Sequence, residues 1–324
     1  MITKLENIGF YTLTDKRARE ASSVSIIKRA EIVLTDRCNF KCPYCRGVMD
    51  SIKGQLSLEK LQTYLNLLID NGLENVRFTG GEPTLYGGLV NAVAYCSLHG
   101  VKRIALSTNG TASMGLYNRL VDNGVNDFSI SLDGGCCAVG DIMSGGVKGA
   151  WDKVVSNIKA LSKISYVSIG MVFTEVNIDQ CVESVRFVAD LGVSDIRIIP
   201  SAQYNKALTQ LKTLPSDILE RYPILKYRIG NIKDNVHVRG IQSTDNTQCH
   251  LVLDDLAIAG NYHFPCVIYM REQGQPIGEM NQSFRQQRLE WYENHNTHLD
   301  NICQTNCLDV CREYNNKFKY FKES

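Results

Sequence analysis

The sequence predicts an α/β chain: a parallel sheet built from six strand-then-helix units, followed by a small cysteine-rich C-terminal domain. Three observations carry this. Apolar runs of strand length alternate with longer helical patterns from residue 29 to about 200, and glycines stand where the helices must stop. Five of the twelve cysteines gather after residue 248. Such alternation implies right-handed crossovers between parallel strands, in a sheet either doubly wound or closed into part of a barrel.

Residues 1–28 carry mixed charge with no strong period and read as a leader that covers the sheet as a strand or helix. The strand-like runs follow at 30–35, 75–78, 103–107, 127–132, 166–173 and 195–199. Helical patterns fill the intervals at 57–71, 85–99, 114–123, 149–162 and 179–191. Ser57 is placed to cap the first helix, and Gly72, Gly100, Gly124 and Gly192 to end helices in the left-handed conformation. These units make a core domain over 29–200. Pro215, Pro223, Gly230 and Gly240 break the alternation and mark 201–248 as a bridging region. Residues 249–324 form the C-terminal domain, which opens with a β-hairpin: 251–253 and 257–261 turning into 262–269.

Charge is balanced, with Lys+Arg 35 against Asp+Glu 34, which argues against a general nucleic-acid or membrane-surface binder. No apolar run reaches the length of a membrane span, and the first residues lack a signal-peptide core. Twelve cysteines without an export signal, several at ligand-like spacing, point to metal centres in a reducing cytoplasm.

Directly after the first strand stands Cys38-Asn-Phe-Lys-Cys42-Pro-Tyr-Cys45. Three thiolates on one loop leave a fourth position open, whereas structural zinc sites and simple ferredoxin clusters are closed by four protein ligands. The spacing suggests a [4Fe–4S] cluster with one iron free for a small molecule; a structural zinc loop or a redox-regulated cysteine trio are the other readings of the motif.

The C-x3-C-x2-C spacing with Tyr44 before its last cysteine resembles the cluster loop of the radical S-adenosylmethionine (radical SAM) enzymes. The resemblance implies a partial (β/α)6 TIM-like barrel, with Cys38, Cys42 and Cys45 on a cluster whose open iron is chelated by SAM. It also implies a flavodoxin- or ferredoxin-type reductant. After the second strand comes Thr79-Gly80-Gly81-Glu82-Pro83, similar to the family's GGEP motif, which binds the amino group of SAM. The paired glycines read as a close backbone approach to a ligand; alone they are an ordinary strand-to-helix turn. Asn109, Ser131 and Asp133 end the third and fourth strands where relatives contact SAM, although Asx- and Ser-turn capping favours the same residue types. Thr174, after the fifth strand, is expected near the adenine or the substrate cavity.

Cys136 and Cys137 follow Gly134-Gly135. Some radical SAM epimerases return a hydrogen atom to substrate from a cysteine, which makes both eligible as catalytic residues; small buried thiols are the plain alternative. Cys96 and Cys181 sit in helical patterns and read as core or surface residues.

In the C-terminal domain, Cys249-x10-Gly260-x5-Cys266 precedes Cys303-x3-Cys307-x3-Cys311, whose spacing places three thiols near one helical face. This resembles the SPASM/twitch extension of radical SAM enzymes and implies one auxiliary [4Fe–4S] cluster on Cys249, Cys266 and two of the last three, with structural zinc as the rival. The expected function is hydrogen abstraction from a small molecule (sugar, nucleoside or similar) for dehydrogenation or epimerisation. The resemblance to SPASM enzymes also admits a peptide or protein substrate, and a non-catalytic metal-binding or electron-transfer protein is the reading from another class.

Overall fold

The computed structural model describes residues 25–201 and 209–323, so most of the 1–28 leader and part of the bridging region lie outside the described residues. In chain order the core elements are β1 (Arg29–Val33), α1 (Leu58–Asp70), β2 (Asn75–Thr79), α2 (Leu89–Leu98), β3 (Arg103–Thr108), α3 (Met114–Asp122) and β4 (Asp127–Ser131). Then come α4 (Cys137–Met143), α5 (Ala150–Leu161), β5 (Tyr166–Phe173), α6 (Cys181–Ala189) and β6 (Asp195–Pro200). The six strands match the sequence-predicted runs to within two residues at each end. They are legible because residues of both sheet faces are buried, as in a parallel sheet covered by helices. Ser57 caps α1 by accepting from the Lys60 N–H at 3.2 Å, as expected.

The sheet runs β6-β5-β4-β3-β2-β1-β7-β8-β9, with β1 to β6 in chain order as in an open (β/α)6 partial barrel. The last three strands are β7 (Asp255–Ala259), β8 (Tyr262–Phe264) and β9 (Gly278–Glu279). The chain packs as two compact units that divide β3 between them.

One unit takes Cys38–Cys45 and Leu106–Val238. In it β4, β5 and β6 pair in parallel, Asp127 opposite Tyr166 and Ser168 opposite Asp195. Tyr117 of α3 meets Phe128 of β4 edge to face at 5.7 Å, and Val154, Ile158 and Leu161 of α5 are buried with Ile169 and Met171. The bridging region is more ordered than its prolines suggest: α7 (Ser216–Arg221) and α8 (Pro223–Lys233) lie there, with Pro223 opening its helix.

The other unit takes residues 25–37, Arg46–Ala105 and the chain from Arg239 onward. Here the C-terminal hairpin joins the sheet: β7 pairs with β1 in parallel, Arg29 opposite Asp255, and with β8 antiparallel. Val33, Ile52, Ala257, Ala259, Phe264 and Met270 form one core cluster, so the first strand and the cysteine-rich segment share a hydrophobic core. Arg288, on α10 (Phe284–Asn294), is buried and donates to the carbonyl oxygens of Val252 and Phe264 at 3.0 Å and to that of Asp255. Its donors thus pin both arms of the hairpin.

Two expectations are corrected here. Residues 250–253 form a single 3-10 turn and not a strand, and the second arm ends at Phe264, before α9 (Val267–Arg271). The last three cysteines do not share one helix: Cys303 lies on α11 (Asn301–Asn306), Cys307 at the break after it, and Cys311 on α12 (Asp309–Glu323). Among the described residues no helix is long and apolar enough to cross a membrane.

Candidate functional site

In the first unit the cysteine loop is tied down by side chains that follow two strands, β3 and β4. The Tyr44 hydroxyl donates to Asp133 Oδ2 at 2.5 Å, and the Val172 N–H donates to Asp133 Oδ1 at 2.6 Å. Asn109 Nδ2 donates to Asn39 Oδ1 at 2.8 Å, and Asn39 Nδ2 donates to Thr111 Oγ1 at 2.9 Å. The Lys41 N–H donates to the Ser144 carbonyl at 3.0 Å, where a Cβ on Gly145 would stand 2.5 Å from the Lys41 carbonyl oxygen. Asn109 and Asp133, expected to face SAM, therefore make hydrogen bonds to the loop itself, and Tyr44 is a loop anchor. Phe40 N–H donates to Cys38 Sγ at 3.4 Å, a bond of the kind that tunes cluster sulfurs.

The electrostatics disfavour a bare thiolate at this loop. Burial pushes the Cys42 thiol up to about 12, with the Asp133 carboxylate, Cys45 and Cys38 adding to it. Burial also lifts Asp133 to about 6, against the opposing pull of its hydrogen bonds from Tyr44 and Val172. A thiolate here needs a nearby positive charge, which a bound iron supplies.

Cys136 and Cys137 are exposed thiols at the start of α4, and Cys136 Sγ lies 3.9 Å from Gln180 Oε1. Neither is the buried small thiol of the plain reading. Ser131 is exposed at the end of β4. Thr174 is buried, its N–H donating to Asn177 Oδ1 at 2.7 Å, which makes it part of a turn. Cys96 and Cys181 are buried, which makes them core residues.

In the second unit, Gly81 N–H donates to the Thr35 carbonyl and Glu82 N–H to the Arg37 carbonyl, both at 2.7 Å. The glycines are required by this strap. A Cβ on Gly80 would lie 2.4 Å from the Thr35 carbonyl oxygen, and one on Gly81 2.4 Å from that of Arg37. The close approach expected toward a ligand is an approach to the backbone that leads into Cys38. Glu82 is fully buried, its Oε1 accepting from the Thr84 N–H and hydroxyl at 3.0 and 2.6 Å, and Pro83 opens a 3-10 turn. Sequence reasoning missed Arg271 of α9, which donates to the Gly47 and Gly80 carbonyls at 2.8 and 2.9 Å. Nothing in the spacing of an arginine so far along the chain signals that role.

The same unit holds the second cysteine group. Cys249, Cys266, Cys303, Cys307 and Cys311 line one cavity of about 640 Å³, counting its open mouth, with Trp291 among its walls. Burial pushes Cys266 up to about 12, with Cys249 adding, and lifts the other four thiols as well. Among the described residues no three cysteine sulfurs approach within 4.8 Å of one another.

Residues 32–188 match the family model described as Radical SAM superfamily. This stretch belongs to that family. The chain is 35% identical over 141 residues to the GTP 3′,8-cyclase of Pelotomaculum thermopropionicum, covering 41% of this chain and 43% of the relative. It is 28% identical over 216 residues to that of Campylobacter fetus, covering 64% and 66%. The chain spans about half the length of the curated relatives it matches, or less in several cases. Among solved structures it resembles Streptococcus suis SuiB bound to precursor peptide SuiA, with TM-score 0.59, 15% identity and 86% and 67% of the two chains covered. It also resembles anSMEcpe with bound AdoMet, with TM-score 0.60, 14% identity and 91% and 97% covered. These likenesses establish the radical SAM fold. The radical SAM cofactors are a [4Fe–4S] cluster and S-adenosylmethionine, and the cysteine-rich C-terminus adds an auxiliary [4Fe–4S] cluster.

Proposed function

We propose that this radical SAM enzyme takes a hydrogen atom from a small molecule of the sugar or nucleoside class, in a dehydrogenation or an epimerisation. The observation that carries the small-molecule reading is that its sequence relatives are named for a reaction of a guanine nucleotide, whereas the peptide-bound neighbour is alike in fold alone. Cluster and SAM, when bound, supply the 5′-deoxyadenosyl radical that makes the abstraction possible. Cys38, Cys42 and Cys45 are the cluster ligands of this reading, with the loop positioned by Tyr44, Asp133 and Asn109. Gly80, Gly81, Glu82, Pro83, Ser131 and Thr174 are its SAM-binding residues. The exposed thiols of Cys136 and Cys137 are available to return a hydrogen atom, the step an epimerisation requires. Cys249, Cys266 and two of Cys303, Cys307 and Cys311 hold the auxiliary cluster.

The relatives' names favour a second reading, a rearrangement of a guanine nucleotide like theirs. Against it, a triphosphate calls for several cationic donors. Arg312 is the cation among the residues lining the five-cysteine cavity, and Asp245 already stands 3.6 Å from it.

The test is anaerobic reconstitution, then dithionite, SAM and a panel of deuterated sugars, nucleosides, GTP and peptides. 5′-Deoxyadenosine should form, Cys42→Ala should abolish it while the C-terminal iron stays, and label should pass into it from a sugar or nucleoside. Transfer from GTP supports the second reading, and transfer from peptides alone overturns both. Solvent deuterium in the product, lost in Cys136→Ala or Cys137→Ala, marks the epimerisation.

A further inference from the structure

A four-iron cubane offers four corners to protein thiolates, and the cavity of the second unit presents five thiols. At least one thiol is surplus, and their surroundings differ. Cys249 Sγ accepts from Asn315 Nδ2 at 3.8 Å and Cys266 Sγ from the Tyr269 N–H at 3.4 Å, amide donors of the kind found around cluster sulfurs. Cys303 keeps other company. Its Sγ stands 3.8 Å from His295 Nε2, which stands 3.8 Å from Asp300 Oδ2, and the three ligand atoms all fall within 4.8 Å of one another. Among the described residues this is the group of that kind.

We propose that His295, Asp300 and Cys303 form a mononuclear site for a zinc-class divalent cation, separate from an auxiliary cluster held by Cys249, Cys266, Cys307 and Cys311. At metal–donor distances of about 2.0–2.3 Å, tetrahedral ligands lie about 3.3–3.8 Å apart, so the two 3.8 Å spacings, with the third under 4.8 Å, close on an ion with small side-chain shifts. The donor set of one thiolate, one imidazole and one carboxylate suits zinc and its neighbours in the first transition row, and not the oxygen-seeking magnesium or calcium.

The surroundings hold these donors in place, as outer partners do at metal centres. The Tyr269 hydroxyl donates to Asp300 Oδ2 at 2.8 Å, and the Cys303 N–H donates to Asp300 Oδ1 at 2.9 Å. Trp291 stacks on the His295 ring at 3.9 Å and 16°. His295 and Asp300 side chains are about one-sixth exposed, at 15% and 16%. Three protein donors leave a fourth tetrahedral position for solvent or a ligand, at a place where Cys303 lines the cavity. The site stands on its donor geometry and does not depend on which substrate the enzyme uses.

The test uses the full chain, reconstituted with iron and sulfide, stripped of loose metal by chelator, and titrated anaerobically with Co²⁺ alone. One equivalent should bind with a thiolate-to-cobalt charge-transfer band, and Zn²⁺ should displace it. His295→Ala and Asp300→Asn should lose the band with iron and sulfide per chain unchanged. Asp300→Asn retains a side-chain oxygen for the helix cap, so its iron content also reports that the domain folds. Cys303→Ser should lose the band and keep its iron. No band in the unmutated protein, or loss of one cluster's iron from Cys303→Ser, overturns the proposal.

Discussion

The Tyr44 hydroxyl donates to Asp133 Oδ2 at 2.5 Å, linking the residue before the third loop cysteine to the loop that follows the fourth strand. Asp133 takes its second bond from the Val172 N–H, so one carboxylate oxygen is engaged from the cysteine loop and the other from β5. The cysteine loop is held by a buried acid and not only by its own turns.

Tyr44→Phe keeps the ring and deletes the donor, leaving a buried carboxylate oxygen without it. The expected loss is about 1–3 kcal/mol of stability, seen as a lower urea midpoint of the apoprotein. Iron retained per chain after anaerobic gel filtration should fall with it. An unchanged midpoint and iron content would show the bond to be idle.

Asp133 also sets a pH dependence. Its pKa is raised by burial from the ordinary carboxylate value to about 6, so the folded state binds this proton more tightly than the unfolded chain does. Its contribution to stability is full below the ordinary value near 3.9 and is lost as pH rises toward about 6. Asp133→Asn removes that titration. The midpoint difference, variant minus unmutated protein, should therefore grow from pH 4 to pH 7; a flat difference would contradict the buried-acid account.

The strap after β2 makes a steric prediction. In Gly81→Ala the new Cβ meets the Arg37 carbonyl oxygen at 2.4 Å and that of Asp36 at 2.5 Å, both backbone atoms that cannot swing aside. A loss of about 1–3 kcal/mol or more is expected, as for overpacking. Gly87→Ala finds nothing within 4 Å and should stay within about 0.5 kcal/mol. Thermal melts of the two variants side by side decide it.

Arg271 joins the carbonyls of Gly47 and Gly80, which sit two residues beyond Cys45 and within the glycine strap. Arg271→Ala strips the donor from both. SAM affinity should fall about tenfold, equivalent to about 1.4 kcal/mol, with iron content at the C-terminal cysteines unchanged. Equilibrium dialysis with labelled SAM reads the first and iron analysis the second. Equal SAM binding would make the arginine a purely local brace.

Much of this was legible beforehand, for identifiable reasons. The six core strands could be placed because apolar runs of that length, bounded by glycines, have few other folds open to them. The cysteine loop and the Gly-Gly-Glu-Pro turn stood out because their residue types are costly anywhere else. The helix α4 was not legible, since seven residues carry too little periodicity to register. Nor was the reason for Gly80 and Gly81, because the backbone they must clear, Thr35 to Arg37, belongs to another strand's end.

By itself the sequence determined the order of strands and helices, the family of residues 32–188 and the identity of the thiols, because these depend on local pattern and on chemistry that a side chain carries with it. Tertiary structure alone decided that β7 lies beside β1, that Arg271 reaches Gly80, and that His295, Asp300 and Cys303 converge at a cavity lined by five cysteines. Each of these is a meeting of segments whose separation along the chain says nothing of their distance in space: it is set by how the sheet closes its hydrophobic core.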